Sequence, residues 1–326
     1  MGARNSNTDR PERRRQLFVT EEGRLDAVLA TAFPDLSRAR VQRLISNERV
    51  LVNGEPARKS THVNRGAKVT VTLPDSVHEP SSSGLTLSVL HEDTDLIAID
   101  KPAGVLVHDA PAEPGAPSVA LWFLEHYVKE AAAFDVERPG IVHRLDKHTS
   151  GVLLLAKKPS VQAALSAAFE AREAQKEYIA LCHGVPQRDR AVIDADIGRS
   201  HSDRRRMAVT ANGRSAQTEY EVLASARERS FLLVRPRTGR THQIRVHLAA
   251  IGAPVVGDEL YGRDGGGPRH LLHAWKLTVP HPQEGELTVT APLPPDMLTA
   301  IDGADFTAQA KPYTAASASI RTEETA

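Results

Sequence analysis

The stretch Ile141 to Lys157 reads I-V-H-R-L-D-K-H-T-S-G-V-L-L-L-A-K and constrains the chain more than any other. Val152 to Ala156 is an unbroken apolar run, which predicts a strand buried on both faces of a sheet. Such a strand has no polar surface of its own, so His143, Arg144, Asp146 and His148 gather at its entrance, where chain meets solvent. An Asp flanked by Arg144 and Lys147 beside a rigid strand is positioned to stay ionised and to be aimed. An ordinary salt-bridged turn would read the same way, and this stretch alone leaves both open.

The surrounding chain has room for a catalytic-sized domain and a smaller one, at 326 residues against typical domains of roughly 100–200. No apolar run approaches the roughly 18 residues of a membrane span, and the polar, Arg-rich start does not read as a signal peptide. The single Cys182 excludes an internal disulfide and a multi-cysteine zinc site, which points to a reducing cytoplasm. Formal net charge is zero, mildly against a nucleic-acid partner, but its distribution is uneven. Residues 1–78 hold 14 Lys and Arg against 9 Asp and Glu, and Arg199 with Arg204 to Arg206 forms a second basic knot. Local basic faces, not the total, decide nucleic-acid binding.

In chain order, residues 1–17 read as a flexible basic tail. Leu25, Val28, Leu29 and Ala32 recur at helical spacing. Ser37 then reads as the N-cap of a second helix, Arg38 to Ser46, which buries Val41, Leu44 and Ile45. That leaves Arg38, Arg40 and Arg43 outward, as an RNA-facing surface or as a solvated basic face. Asn53-Gly54 is a tight-turn signal after Val50 to Val52, and Val69 to Leu73 alternates as a strand. Pro74 to Gly84 is rich in Pro, Ser and charge and marks a linker. Leu85 to Leu90 and Leu96 to Ile99 read as strands, and Leu121 to Val128 as a helix. Ser160 reads as the cap of another helix. Lys176 to Leu181 and Phe231 to Val234 are strands, the first placing Tyr178 opposite Ile179. A helix from about Thr241 to Ile251 fits Ile244, Leu248 and Ile251 on one face, and Leu271 to Val279 makes a further strand. The chain beyond about Asp302 reads as disordered.

His143, Asp146, His148, His242 and His247 are conceivable metal ligands, but no H-x-x-x-H helical pair occurs and the spacing argues against a metal. A Ser150 nucleophile lacks the G-x-S-x-G elbow. Walker and Rossmann phosphate loops are also missing. Spacing alone cannot show that Asp146, Tyr178, Arg240 and Arg245 converge. Tyr178 as a sheet-face aromatic and Arg245 as a helix salt bridge stay open.

Two resemblances add to this reading. R-L-D-A-V-L-A, L-S-R-A-R-V-Q-R-L-I and V-L-V-N-G-E, ending in G-A-K-V-T-V, resemble the small RNA-binding domain named after ribosomal protein S-four. K-P-A-G-V-L-V-H, H-R-L-D-K-H-T-S-G-V-L-L-L-A-K, K-E-Y-I-A-L, T-G-R-T-H-Q-I-R-V-H-L and P-V-V-G-D-E-L-Y-G resemble, in that order, the RluA family of pseudouridine synthases, in its RluD-like subgroup. His148 stands where that family often has an acidic residue.

The resemblance implies an α+β chain: a mixed, largely antiparallel sheet in the catalytic domain, with a small α/β RNA-binding domain in front. The expected boundaries are 1–17 tail, 18–75 RNA-binding domain, 76–84 linker, 85–301 catalytic domain and 302–326 disordered tail. It implies conversion of uridine to pseudouridine in structured RNA, above all large-subunit ribosomal RNA, without cofactor or metal. Catalytic roles fall to Asp146, Tyr178 and Arg245, with Arg245 paired to Asp146. RNA-binding roles fall to Arg144, Arg38, Arg40, Arg43, Arg240 and His242. We expect a cytoplasmic monomer with no membrane partner. The alternative is a non-catalytic RNA-binding or ribosome-assembly factor.

Overall fold

A computed structural model describes residues 13–33, 38–58, 60–73, 83–109, 113, 116–128, 134, 138–200, 202–203, 205–262, 267–283 and 285–321. The chain divides into two compact units, Met1–Ser83 with Leu124–Pro139, and Gly84–Phe123 with Gly140–Ala326. The fold is α+β, and its larger sheet is almost wholly antiparallel.

The smaller unit holds β1 (Arg13–Phe18), β2 (Gly23–Arg24), α1 (Leu25–Ala32), α2 (Arg38–Ser46), β3 (Val50–Val52), β4 (Glu55–Pro56), β5 (His62–Val63) and β6 (Lys68–Leu73). One sheet runs β1-β6-β3-β4. Leu25 and Leu29 of α1 and Val41, Leu44 and Ile45 of α2 pack on Val50, Val69 and Val71. Buried Asp26 links the helices, accepting hydrogen bonds from Arg24 Nε (3.1 Å) and Gln42 Nε2 (2.8 Å). Val52 pairs with Glu55 across Asn53 and Gly54, both at positive φ, the two-residue turn their sequence signalled.

Arg13 to Leu17, expected within a flexible tail, are instead an edge strand. They pair antiparallel with β6 in unbroken register, from Arg13 against Leu73 to Phe18 against Lys68. Backbone hydrogen bonds hold this edge, so its arginines hide the strand from a search for apolar alternation. The linker at 76–84 lies outside the described residues except for Ser83 and Gly84, and Ser37 also lies outside them.

The larger unit follows with β7 (Ser88–Glu92), β8 (Leu96–Lys101), the start of α3 (Val119–Tyr127), β9 (Ser150–Ala156), α4 (Pro159–Ala171), β10 (Gln175–His183), β11 (Arg190–Asp194), β12 (Ile197–Arg199) and β13 (Met207–Val209). Next come β14 (Gln217–Ala226), β15 (Arg229–Pro236), α5 (Gln243–Ala250), β16 (Leu272–Pro280), β17 (Glu286–Thr290), α6 (Pro295–Asp302), α7 (Thr307–Ala310) and β18 (Ser317–Arg321). The main sheet runs β11-β14-β15-β10-β16-β9-β8-β7, with β17 pairing β16 and β18. Every residue of β9 is buried, as its apolar run predicts.

β9 touches β16 in parallel at Ser150 and Gly151, after which β17 takes β9's place against β16. Gly151 makes this close approach possible. Its φ is +112°, and a Cβ there would collide with the backbone of Ala274. The cap of α4 differs from expectation: Lys158 is the N-cap and Pro159 the first helical residue, which its fixed φ favours. In α5 the helix is shorter at both ends than expected, and Ile251 is 36% exposed instead of buried. Among the described residues no helix is long and apolar enough to cross a membrane.

The segment after Asp302, expected to be disordered, carries α7 and β18. Phe306, Ala310 and Tyr313 are buried with Phe231, Leu233, Met297 and Ile301. Tyr313 meets Trp275 edge-on at 4.6 Å between ring centroids, and Phe306 lies 6.2 Å from Phe231. β18 adds an exposed strand antiparallel to β17. Single apolar anchors amid Ala, Thr and Ser leave composition polar while still closing a core. Phe306→Ala should therefore destabilise the unit by about 3–5 kcal/mol, the usual cost of emptying a buried aromatic site. Chemical unfolding monitored by circular dichroism tests this; a free tail would leave the midpoint unchanged.

Candidate active site

The charged cluster sits where β9 enters the sheet, and the residues around it fix the loop from several sides. The His143 ring stacks on Phe169 at 4.7 Å, and its Nε2 accepts the Leu154 N–H at 2.9 Å. Burial, aided by Lys176, lowers its pKa to about 3, so it serves as a neutral acceptor. Thr149 Oγ1 hydrogen-bonds with His270 Nε2 at 2.8 Å, and Ser150 Oγ with His273 Nδ1 at 2.9 Å. The Thr-Ser-Gly run is thus a clamp onto the 270–274 segment, and Ser150 is wholly engaged in it.

From below, buried Lys101 donates from Nζ to the carbonyls of Pro102 (2.8 Å), Val105 (3.0 Å) and Lys147 (3.0 Å). Three carbonyls match the three N–H donors of an ammonium. Burial draws this pKa down to about 7 while the charge of Asp146 pulls it upward. Arg269 adds a hydrogen bond to the His148 carbonyl at 3.3 Å and is itself held by Asp296.

The cations beside Asp146 in sequence do not hold it. Lys147 turns away to Glu113 at 2.6 Å, and Arg144 is exposed. Asp146 Oδ2 instead accepts from Arg245 Nη1 at 3.1 Å, a residue that α5 brings in from across the chain. Arg245 Nε and Nη2 form a fork onto Asp258 Oδ2 and Oδ1 at 2.7 and 2.8 Å. Asp258 Oδ1 also accepts the N–H groups of Leu260 (3.0 Å) and Tyr261 (3.1 Å). Burial pushes the Asp258 pKa up, but the hydrogen bonds and charge of Arg245 outweigh it and hold the carboxyl below its ordinary range. The Tyr261 ring lies 5.1 Å beneath the guanidinium. Asp258 is sealed off, whereas 21% of the Asp146 side chain faces solvent. One carboxylate is structural and the other is presented.

Asp146 opens onto a cleft of about 440 Å³. Tyr178 lines it from β10; burial, and then the Asp146 charge, push its hydroxyl pKa upward. Arg144, Arg240, His242 and Arg245 line the same cleft. His242 caps α5 at φ +56° and hydrogen-bonds through Nδ1 with the Tyr261 hydroxyl at 2.9 Å. The loop before α5 is tied by the Gln243 amide. Its oxygen accepts from Thr238 Oγ1 (2.7 Å) and Arg240 N (2.9 Å), and its nitrogen donates to Gln217 O (2.9 Å) and Thr218 Oγ1 (3.0 Å). Arg240 Nε donates to Ser215 O at 3.1 Å.

Six of the expected site residues thus share one cleft: Asp146, Tyr178, Arg245, Arg144, Arg240 and His242. The side chains of Arg38, Arg40 and Arg43 lie outside the described residues. Sequence reasoning did not single out Asp258, Gln243, Lys101 or Arg269. The first three stand inside motifs quoted above, G-D-E-L-Y-G, T-H-Q and K-P-A-G; nothing local distinguishes Arg269. Among the described residues no three of His, Cys, Asp or Glu cluster as metal ligands.

Comparison with known proteins places matches over both units. Residues 95–250 match the RNA pseudouridylate synthase family and residues 23–69 the S4 domain. An uncharacterized RNA pseudouridine synthase of Chloroflexus aurantiacus is 44% identical over 279 residues, covering 84% of this chain and 87% of the relative. A ribosomal large subunit pseudouridine synthase D of Nitrosomonas europaea is 39% identical, with 84% and 82% covered. The solved structure of human RNA pseudouridylate synthase domain containing 4 superposes with a TM-score of 0.55 at 26% identity, over 67% of this chain and 93% of that one.

The buried fork carries a pH signature. Asp258→Asn leaves Arg245 buried with half its counter-charge and should cost about 3–5 kcal/mol near neutrality. Because the folded pKa of Asp258 is depressed, its contribution is present above the ordinary aspartate value of about 3.9 and fades as pH falls through the lower folded value. The stability gap between wild type and variant should therefore be full at pH 6 and shrink below about pH 4. Denaturant titrations across that range test it; a gap independent of pH would mean that Asp258 is not ionised in the fold.

Proposed function

The chain belongs to the RNA pseudouridylate synthase family, and from that membership we propose that it converts specific uridines of large-subunit ribosomal RNA to pseudouridine at the Asp146 cleft. It is an RNA-modifying isomerase. The large-subunit assignment draws on the names of relatives called ribosomal large subunit pseudouridine synthase D. The observation that carries the site is the hydrogen bond from Arg245 to Asp146, with Arg245 fixed on its far side by Asp258. A factor that only gripped RNA would have no use for a carboxylate aimed in this way into a basic cleft.

The reaction breaks the bond between nitrogen 1 of uracil and the sugar, turns the base, and rejoins the sugar to carbon 5. The proton on carbon 5 leaves and nitrogen 1 gains one, so atoms balance within the substrate and no electrons enter or leave. No cofactor is required by that balance. The uridine must leave the RNA stack to reach the cleft. Arg144, exposed at its mouth, is suited to fill the space the base vacates. Asp146 starts the chemistry, as a nucleophile or as a base toward the 2′ proton, and the hydrogen bond from Arg245 holds its carboxylate in position for that step. Tyr178 supplies a face for the uracil and a hydroxyl for the late proton transfer at carbon 5. Arg240 and His242 hold the neighbouring RNA. Arg38, Arg40 and Arg43 of the S4 domain would dock the remainder of the substrate. A cytoplasmic location suits the lone, buried thiol of Cys182.

Asp146→Asn keeps the shape of the site and removes the charge, so pseudouridine formation should stop while RNA binding persists. Near wild-type turnover by that variant would overturn the assignment. Tyr178 separates ring from hydroxyl. With RNA tritiated at carbon 5, Tyr178→Phe should retain binding but slow tritium release. Tyr178→Ala should lose binding as well, by about 1–3 kcal/mol of stacking. If both variants released tritium as the unaltered chain does, Tyr178 would be a plain strand residue.

A further inference from the structure

Among the described residues, three arginines that line the cleft have no acid partner. Arg172 follows α4, Arg214 lies between β13 and β14, and Arg240 precedes α5; all three line the cleft. Among the described residues none of the three forms an ion pair, whereas other arginines of this unit do, as in Arg190–Glu219, Arg235–Glu177 and Arg269–Asp296. Glu170 also lines the cleft, yet no ion pair joins it to them. Burial, with repulsion from Arg214 and then Arg172, lowers the pKa of Arg240, so each of the two lies within electrostatic reach of it on the shared cleft. Lys176, on the same cleft, adds a largely buried ammonium, its pKa lowered by burial.

The backbone fixes the position from which the Arg172 side chain starts. It occupies the left-handed position after α4, at φ +66°, and its N–H bonds back to the carbonyls of Ala168 and Phe169. Glycine is the residue that takes this position without steric cost. Arg240 is likewise pinned, its N–H on Gln243 and its Nε on Ser215, which leaves the guanidinium nitrogens at its tip to face a ligand. Like charges held together by fixed backbone are stabilised by an anion that bridges them. A phosphodiester fits, since its oxygens accept from several guanidinium groups at once.

We propose that Arg172, Arg214 and Arg240 form a binding site for a backbone phosphate of the substrate RNA beside the flipped uridine. The site rests on the reading of the cleft as the place of uridine isomerisation. It gives the strand a fixed point on one side of Tyr178, so that the base enters Asp146's reach in one register. Phosphate contacts position without reading sequence, so the site sets register and not base choice.

The test uses the full chain and a transcript of large-subunit ribosomal RNA. Arg172→Gln with Arg214→Gln should weaken binding at least tenfold at low salt. It should also flatten the plot of log affinity against log salt by about 0.7 for each single-strand phosphate lost. Both residues are exposed, so the unfolding midpoint should not move. Arg172→Lys with Arg214→Lys should keep most of the slope. A neutral methylphosphonate beside a converted uridine should weaken the unaltered chain and have no further effect on the glutamine variant. Unchanged affinity and slope in the glutamine variant, or an undiminished methylphosphonate effect in it, would overturn the proposal. Pseudouridine formation by the unaltered chain is scored separately. If it occurs while the arginine variants bind normally, the phosphate site fails and the function stands. If it does not occur, the function fails and the salt slope still decides the phosphate site.

Discussion

The Arg245–Asp258 fork is the interaction on which the site depends. A guanidinium and a carboxylate both removed from water are tolerable only together, with their remaining donors and acceptors filled. Asp258 meets that condition by accepting two backbone N–H groups from the turn that follows it. Arg245 meets it by lying over Tyr261 and turning its one remaining terminal edge to Asp146. The direction of that edge is therefore set by the buried pair and not by Asp146 itself. Removing Asp258 would free the forked edge of Arg245 to turn onto Asp146, which would cover carboxylate oxygens now presented to the cleft.

A fixed arginine aims a carboxylate only if the carboxylate's own loop is fixed too. That is the contribution of β9. The strand is buried from Ser150 onward and cannot shift register without exposing an apolar face. Gly151 brings it against Ala274 more closely than any side chain would permit. Thr149 and Ser150 then bond to His270 and His273, and Lys101 grips the carbonyl of Lys147 from within. The residues on either side of Asp146 are thus held through backbone or through short side chains. Long, mobile side chains would place it less well.

The sequence carried much of this in uneven measure. β9 was legible because five consecutive apolar residues have few alternatives, and the Asn53-Gly54 hairpin because two positive φ angles demand those residues. The partner of Asp146 was not legible from spacing. Arg144 and Lys147 were the nearby candidates, yet Lys147 serves Glu113, and the true partner is 99 residues away. Arg245 stood out as part of a basic group, but only the family resemblance paired it with Asp146. Asp258 escaped for a related reason: its importance lies in burial, which an isolated Asp between Gly and Glu does not announce. Residues 13–17 and 303–321 were misread because composition was polar, while 1–12 and 322–326 lie outside the described residues. β1 is held by backbone bonds and the final segment by three separated anchors, and neither produces apolar periodicity.

Net charge was the most misleading number, and its failure has a structural cause. The chain balances 41 basic against 41 acidic residues, which on average argues against an RNA partner. The charges are not averaged in space. Glu177, Glu219 and Glu221 are consumed by Arg190, Arg235 and Arg237 along the sheet, and Asp258 by Arg245. Acids spent on local pairs cannot neutralise the cleft, where Arg144, Arg172, Lys176, Arg214 and Arg240 face Asp146 and Glu170. A cleft with low-dielectric walls concentrates the field of such an excess on whatever enters it. Pairing of the acids thus separates the charge that stabilises the fold from the charge available to a polyanion, and only the second bears on what the protein binds.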